Sequence, residues 1–107
     1  MSKVKISELD EAPPEGIAKQ LQFEHPLTYY VYEIGLIQSQ GTYFAITDKC
    51  RLCGGSLGKG ILMGKFVLCD KTDCAWNMKS GICKSDRTNV TPTYKVIVEE
   101  DGLYINI

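Results

Sequence analysis

Apolar and polar residues alternate along much of this chain with the two-residue period of strands, and tight-turn residues separate the alternating runs. Thr28 to Ile34 (TYYVYEI) is rich in β-branched and aromatic residues and predicts a strand; Thr42 to Ile46 predicts another after the break at Gly41. Ile61-Leu62-Met63 and Phe66-Val67-Leu68 flank Gly64-Lys65, which predicts a hairpin with glycine at its first central position. The clearest hairpin is at the C-terminus, where Lys95 to Glu99 and Leu103 to Ile107 alternate around Asp101-Gly102. Ile17 to Phe23 fits a helix or a strand, and its alternation favours a strand weakly. A helix could start at Ser7 as N-cap, but Pro13-Pro14 ends it within about a turn. The pattern predicts an all-β fold, an antiparallel sandwich or barrel of short strands.

At 107 residues the chain has room for a single domain, 1–107. Its net charge of −1 leaves no overall basic footprint for nucleic acid, so no nucleic-acid partner is expected. The longest apolar-leaning stretch, around Leu27 to Ile37, is too short to span a bilayer and carries Glu33. Met1 to Lys5 holds no apolar run, so no signal peptide is expected, and the reading is a cytoplasmic monomer.

Five cysteines change the picture. An odd count with no sign of secretion fits a disulfide framework poorly and points to metal ligands. Cys50-Arg51-Leu52-Cys53-Gly54-Gly55 is a C-x-x-C turn whose following glycine can take positive φ and turn N–H groups towards the sulfurs. Cys69 and Cys74 bracket a second loop of four residues, and the hairpin from Gly60 to Leu68 would bring the two loops side by side. Together Cys50, Cys53, Cys69 and Cys74 can close a tetrahedral four-thiolate site for one zinc or one iron. Ordinary burial would account for one cysteine, not for two pairs in turn-bearing loops. Cys83 has no partner at ligand spacing and reads as a half-buried strand residue, though it could replace Cys74 if that loop points outward.

His25 reads as a surface or turn residue without a ligand role, and Trp76 as a core residue that shields the site. The Tyr29, Tyr30, Tyr32 run reads as strand packing, and Glu99-Glu100-Asp101 as a solvated hairpin end. With one histidine and no acid/base pair, nothing supports nucleophilic catalysis, and a metal closed by four thiolates offers no open position. An enzyme is not expected.

Around the two loops the chain resembles the Rieske-type ferredoxins, in particular the small soluble archaeal kind. The family's loops read C-x-H-x-G-x-x-L and then C-P-x-H, with an aromatic residue and a T-G turn downstream. Here Cys50, Gly54 and Leu57 match the first, and Cys69, Trp76 and Ser80-Gly81 the second; Val4 to Leu9 and Tyr94 to Ile107 resemble the family's ends. The resemblance implies a Rieske fold with a metal-binding subdomain at about 47–82. Yet Leu52 and Thr72 stand at the two histidine positions and Asp70 at the loop proline. A Rieske two-iron centre needs both histidines. Cys53 and Cys74 stand beside the lost ligands, so the pattern looks like a Rieske scaffold rebuilt around a rubredoxin-like or zinc-ribbon-like site, as a deliberate redesign would be. Three readings follow: a mononuclear iron electron carrier with redox partner proteins, a zinc-bound structural or interaction module, and an all-cysteine 2Fe–2S ferredoxin.

Overall fold

Alternating segments become strands here because they pair edge to edge around two apolar interiors. The computed structural model describes residues 2–107. Its strands are β1 (Lys3–Ser7), β2 (Ala18–Glu24), β3 (Val31–Ser39), β4 (Thr42–Thr47), β5 (Ile61–Met63), β6 (Phe66–Leu68), β7 (Ala75–Asn77), β8 (Thr93–Glu99) and β9 (Gly102–Asn106). Six form an antiparallel sheet in the order β1-β9-β8-β4-β3-β2, and β5-β6-β7 form a second sheet inserted between β4 and β8. No helix among the described residues is long and apolar enough to cross a membrane.

The larger sheet curls. His25, just after β2, lies with Nε2 3.2 Å from the carbonyl oxygen of Ile107, just after β9, so two strands four places apart in the sheet approach each other. Ile34, Ala45 and Ile105 fill the inside of the curl, with Leu21, Phe23, Tyr94 and Val96 packed around them. A second core joins the two sheets. Ile37 and Ile46 from the large sheet meet Val67 and Trp76 from the small one, and Cys50, Leu57, Cys69, Met78 and Cys83 complete it. The cysteine loops therefore grow out of a packed interior in which each buried large apolar side chain contributes about 1.5–3 kcal/mol.

Several elements depart from the sequence expectation, each for a local reason. The strand expected from Thr28 begins at Val31. His25 to Tyr30 close instead into a turn: the Tyr29 N–H donates to the His25 carbonyl (2.9 Å), the His25 N–H to the Tyr30 carbonyl (2.8 Å), and Tyr29 takes φ of 62°. His25 is buried in this turn rather than at the surface, its Nδ1 accepting from the N–H groups of Leu27 and Thr28. The helical start possible at Ser7 stops, as Pro13-Pro14 requires, after a single 3₁₀ turn, Leu9–Glu11, but Ser7 does not cap it: its Oγ donates to the Glu8 carbonyl. In the C-terminal hairpin Glu99 pairs with Gly102, so the turn is centred on Glu100 and Asp101, one residue earlier than expected. Strand β7 carried no sequence signal of its own and exists through its ladder to β6.

Candidate metal centre

The first cysteine loop leaves β4 and folds back at once. The Cys50 N–H donates to the Gly55 carbonyl (2.7 Å) and the Gly54 N–H to the Cys50 carbonyl (2.9 Å), with Gly54 at φ 77°, the left-handed region that glycine enters without strain. Asp48 anchors this loop from beneath. Its Oδ1 accepts from Ser56 Oγ (2.7 Å) and the Gly58 N–H (2.8 Å), and its Oδ2 from Gln20 Nε2 (2.7 Å).

The second loop leaves β6 and is closed by the Cys69 N–H donating to the Cys74 carbonyl (3.0 Å), with Asp73 at φ 58°. Two bonds lash the loops together: the Asp70 N–H donates to the Ser56 carbonyl (3.1 Å), and the Ser56 N–H to Asp70 Oδ1 (2.7 Å). Asp70 stands where the resemblance has a proline, and it does clamping work a proline could not, because proline has neither the N–H nor the carboxylate.

These loops bring the Sγ atoms of Cys50, Cys53, Cys69 and Cys74 within 4.8 Å of one another, with Cys53 and Cys69 at 3.4 Å. A metal–thiolate bond of about 2.3 Å in a tetrahedron sets sulfurs ~3.8 Å apart, so the donor set fits a single ion of the zinc or iron kind. Cys50 and Cys69 are buried, Cys53 and Cys74 half-buried. Cys83 is fully buried outside this group, with Sγ 3.4 Å from Ser85 Oγ. His25 belongs to its own turn and is not among the gathered groups.

Donors surround the sulfurs. Buried Trp76 directs its indole N–H at Cys50 Sγ (3.4 Å), and the Thr72 N–H points at Cys69 Sγ (3.4 Å). Thr72 Oγ1 lies 3.1 Å from Cys74 Sγ. Burial is the strongest influence on Cys69 and opposes its ionisation, but N–H groups of Thr72, Lys71 and Cys74, with the Cys53 thiol, overcome it and lower the pKa to about 6. The Thr72 hydroxyl, followed by the Gly55 N–H, lowers the pKa of Cys53. At Cys74 the same hydroxyl is the strongest influence and favours the thiolate. Burial, a hydrogen bond with Cys50 and the charges of Cys50 and Cys69 prevail, raising its pKa to about 11. Four thiolates this close repel, and a cation among them would remove that repulsion while displacing the remaining protons.

Sequence reasoning located the four cysteines but missed what supports them. Sequence alone gives the Trp76 indole no role beyond excluding water, and Thr72 none beyond standing at a histidine position. A C-x-x-C turn does reveal its own glycine, whereas Asp48 and Asp70 act across 10 and 14 residues and left no local signal.

No protein-family model matches the chain. It is 24% identical over 110 residues to the 3-phenylpropionate/cinnamic acid dioxygenase ferredoxin subunit of Photorhabdus laumondii subsp. laumondii, across 100% of this chain and 96% of that protein. Among solved structures it superposes on the ferredoxin of carbazole 1,9a-dioxygenase from Nocardioides aromaticivorans IC177 with a TM-score of 0.77 at 15% identity, covering 98% of this chain and 97% of that one. It also superposes on the nitrite reductase [NAD(P)H] small subunit from Erwinia carotovora with a TM-score of 0.73 at 19% identity, over 100% and 83% of the two chains. The curled, almost all-β sheet with its small inserted sheet is thus the fold of the Rieske-type ferredoxins.

Proposed function

We propose that this chain is a small electron carrier holding one iron in Cys50, Cys53, Cys69 and Cys74, within a metal-binding subdomain at about 47–82 of its single domain. The observation that carries the reading is the approach of the four sulfurs to within 4.8 Å of one another, close to the edge of one tetrahedron. A two-iron core puts a second iron and two sulfides between the thiolate pairs and needs them further apart, which disfavours the 2Fe–2S alternative. The ferredoxin relative favours iron over zinc and electron transfer over catalysis.

When bound, iron in four thiolates supplies a ferric/ferrous couple at nearly constant geometry. The protein's part is to hold the sulfurs and tune their charge. Trp76 seals Cys50 from water and donates to it, Thr72 donates to Cys69, and the half-buried Cys53 and Cys74 bring the site to the surface where electrons leave. Redox partner proteins, an oxygenase by analogy with the relative, would receive them. A cytoplasmic location is part of this proposal.

Elemental analysis, acid-labile sulfide and a visible spectrum of the purified protein test this. One iron per chain, no labile sulfide and thiolate-to-iron charge-transfer bands are expected. One zinc and no colour would replace the reading with a structural module, and two irons with two sulfides with a ferredoxin cluster. Cys53→Ser should sharply reduce metal content; unchanged stoichiometry would overturn the ligand assignment.

A further inference from the structure

The net charge of −1 conceals a strong separation. Residues 48–92, which carry the small sheet and both cysteine loops, hold eight of the twelve basic side chains but only four of the thirteen acidic ones. One of those four, Asp48, is buried and spent on hydrogen bonds. The rest of the chain is correspondingly acidic, with four basic residues against nine acidic. The metal-bearing insert is therefore a cationic body on an anionic sheet.

Beside the site this charge surrounds an apolar groove. It has a volume of ≈ 810 Å³, and Met63, Phe66, Leu68, Cys74, Lys65 and Lys84 are among its lining residues. Lys65 and Lys84 both hold their ammonium groups over the Phe66 ring, at 5.8 and 5.4 Å from its centroid. Met63 is 57% exposed and neighbouring Ile61 63% exposed, an apolar edge that β5 leaves uncovered. Asp73 also lines the groove, so the cations dominate it without being alone. Cys74, a half-buried sulfur of the proposed site, opens onto it.

We propose that this groove is the docking surface for the electron-transfer partner, and that the partner presents an acidic protein surface with an apolar centre. The proposal rests on the electron-carrier reading for its purpose and on charge complementarity for its occupant. Apolar contact at Phe66 and Met63 would set the fit, while Lys65 and Lys84 would steer the approach and fix orientation. A partner docked there sits against Cys74.

The test uses a short fluorescein-labelled peptide of alternating glutamate and leucine as the probe, at physiological ionic strength, with the full chain both metal-free and zinc-loaded. Binding should be followed by anisotropy and located by amide chemical-shift changes. Shifts confined to Lys65, Phe66, Cys74, Lys84 and their neighbours are expected, with binding weakened about tenfold or more by Lys65→Glu with Lys84→Glu and strengthened at low salt. Both lysines are exposed, and the milder pair Lys65→Gln with Lys84→Gln should fall between. Equal binding of a lysine–leucine peptide, shifts around Lys3, Lys5 and Lys19, or no effect of the double substitution would overturn the proposal. So would tighter binding of duplex DNA at the same groove. If no metal loads yet the peptide binds in the groove, the surface stands and the electron-carrier reading falls; if metal loads and the peptide does not bind, the docking proposal falls alone.

Discussion

Replacing Asp48 with alanine should undo the first cysteine loop without touching a cysteine. The carboxylate accepts three hydrogen bonds, and two of its donors, the Gly58 N–H and the Ser56 hydroxyl, belong to bonds buried in the interior. Hydrogen bonds to a charged acceptor contribute about 1.5–3 kcal/mol each, so losing the two buried ones puts ~3–6 kcal/mol at stake. Removing a carboxylate that is itself 4% exposed returns part of that, and the Gln20 amide can turn to water, which leaves a net loss of ~3–4 kcal/mol. At this size that is a fall in Tm of roughly 12–30 °C. Asp48→Asn provides the control. Its carbonyl still accepts from Ser56 and Gly58, and its NH₂ meets Gln20 once that amide rotates, so the cost is about 1 kcal/mol. Urea unfolding followed by the fluorescence of Trp76, the sole tryptophan, measures both, with metal content as a second readout. An alanine variant within ~1 kcal/mol of the parent would refute the reasoning, as would an asparagine variant as damaged as the alanine one.

Gly60→Ala would place a Cβ 1.6 Å from the Leu68 carbonyl oxygen, with no side chain to give way; a loss of ~4 kcal/mol or insoluble expression is expected, and a parent-like melting curve would contradict the packing. Trp76→Phe removes the donor to Cys50 and should cost ~1–3 kcal/mol in denaturant unfolding. In iron-loaded protein it should also lower the reduction potential, because N–H donors favour the more negative reduced state. Cys83→Ser should leave metal content unchanged, checked by elemental analysis, while costing stability through a hydroxyl in a fully buried position. The hydroxyls of Tyr104 and Thr88 hold Asp101 and Asp86 below the ordinary carboxylate value of 3.8. Their contribution is complete above that value and is lost as pH falls through the lower folded values, so Asp101→Asn should flatten the acid limb of a stability–pH curve.

What the sequence revealed was local in its physics. The Gly64-Lys65 hairpin was legible because period-two alternation, turn residues and pairing partners all lie within eight residues, Ile61 to Leu68. The cysteine pairs were legible because ligand spacing is a short-range property. What stayed hidden depends on groups brought together by folding. Nothing near His25 announces that the turn after β2 will bury it and reach the Ile107 carbonyl, so the alternation from Thr28 read as strand. Ala75 to Asn77 is too short to declare itself and becomes β7 only because Val67 faces Trp76 across the ladder. The charge separation was present in the sequence, yet averaging over the whole chain reduced it to −1.

The same distinction bears on how the proposed four-sulfur site would work without the missing imidazoles. Leu52 and Thr72, at the two histidine positions of the resemblance, are both exposed, while Cys50 and Cys69 lie buried behind them. A ligand lost at such a position leaves the deep pair intact and opens the outer side of the site. Cys53 and Cys74, both half-buried, fill that side. Thr72 would have a different task in such a site: its N–H and hydroxyl reach Cys69 and Cys74, where they would support thiolates in place of an imidazole that shares the charge. In the proposed assignment, therefore, the inner pair fixes where the metal sits and the outer pair with Thr72 governs how easily it is exchanged and how well it couples to the groove beside Cys74.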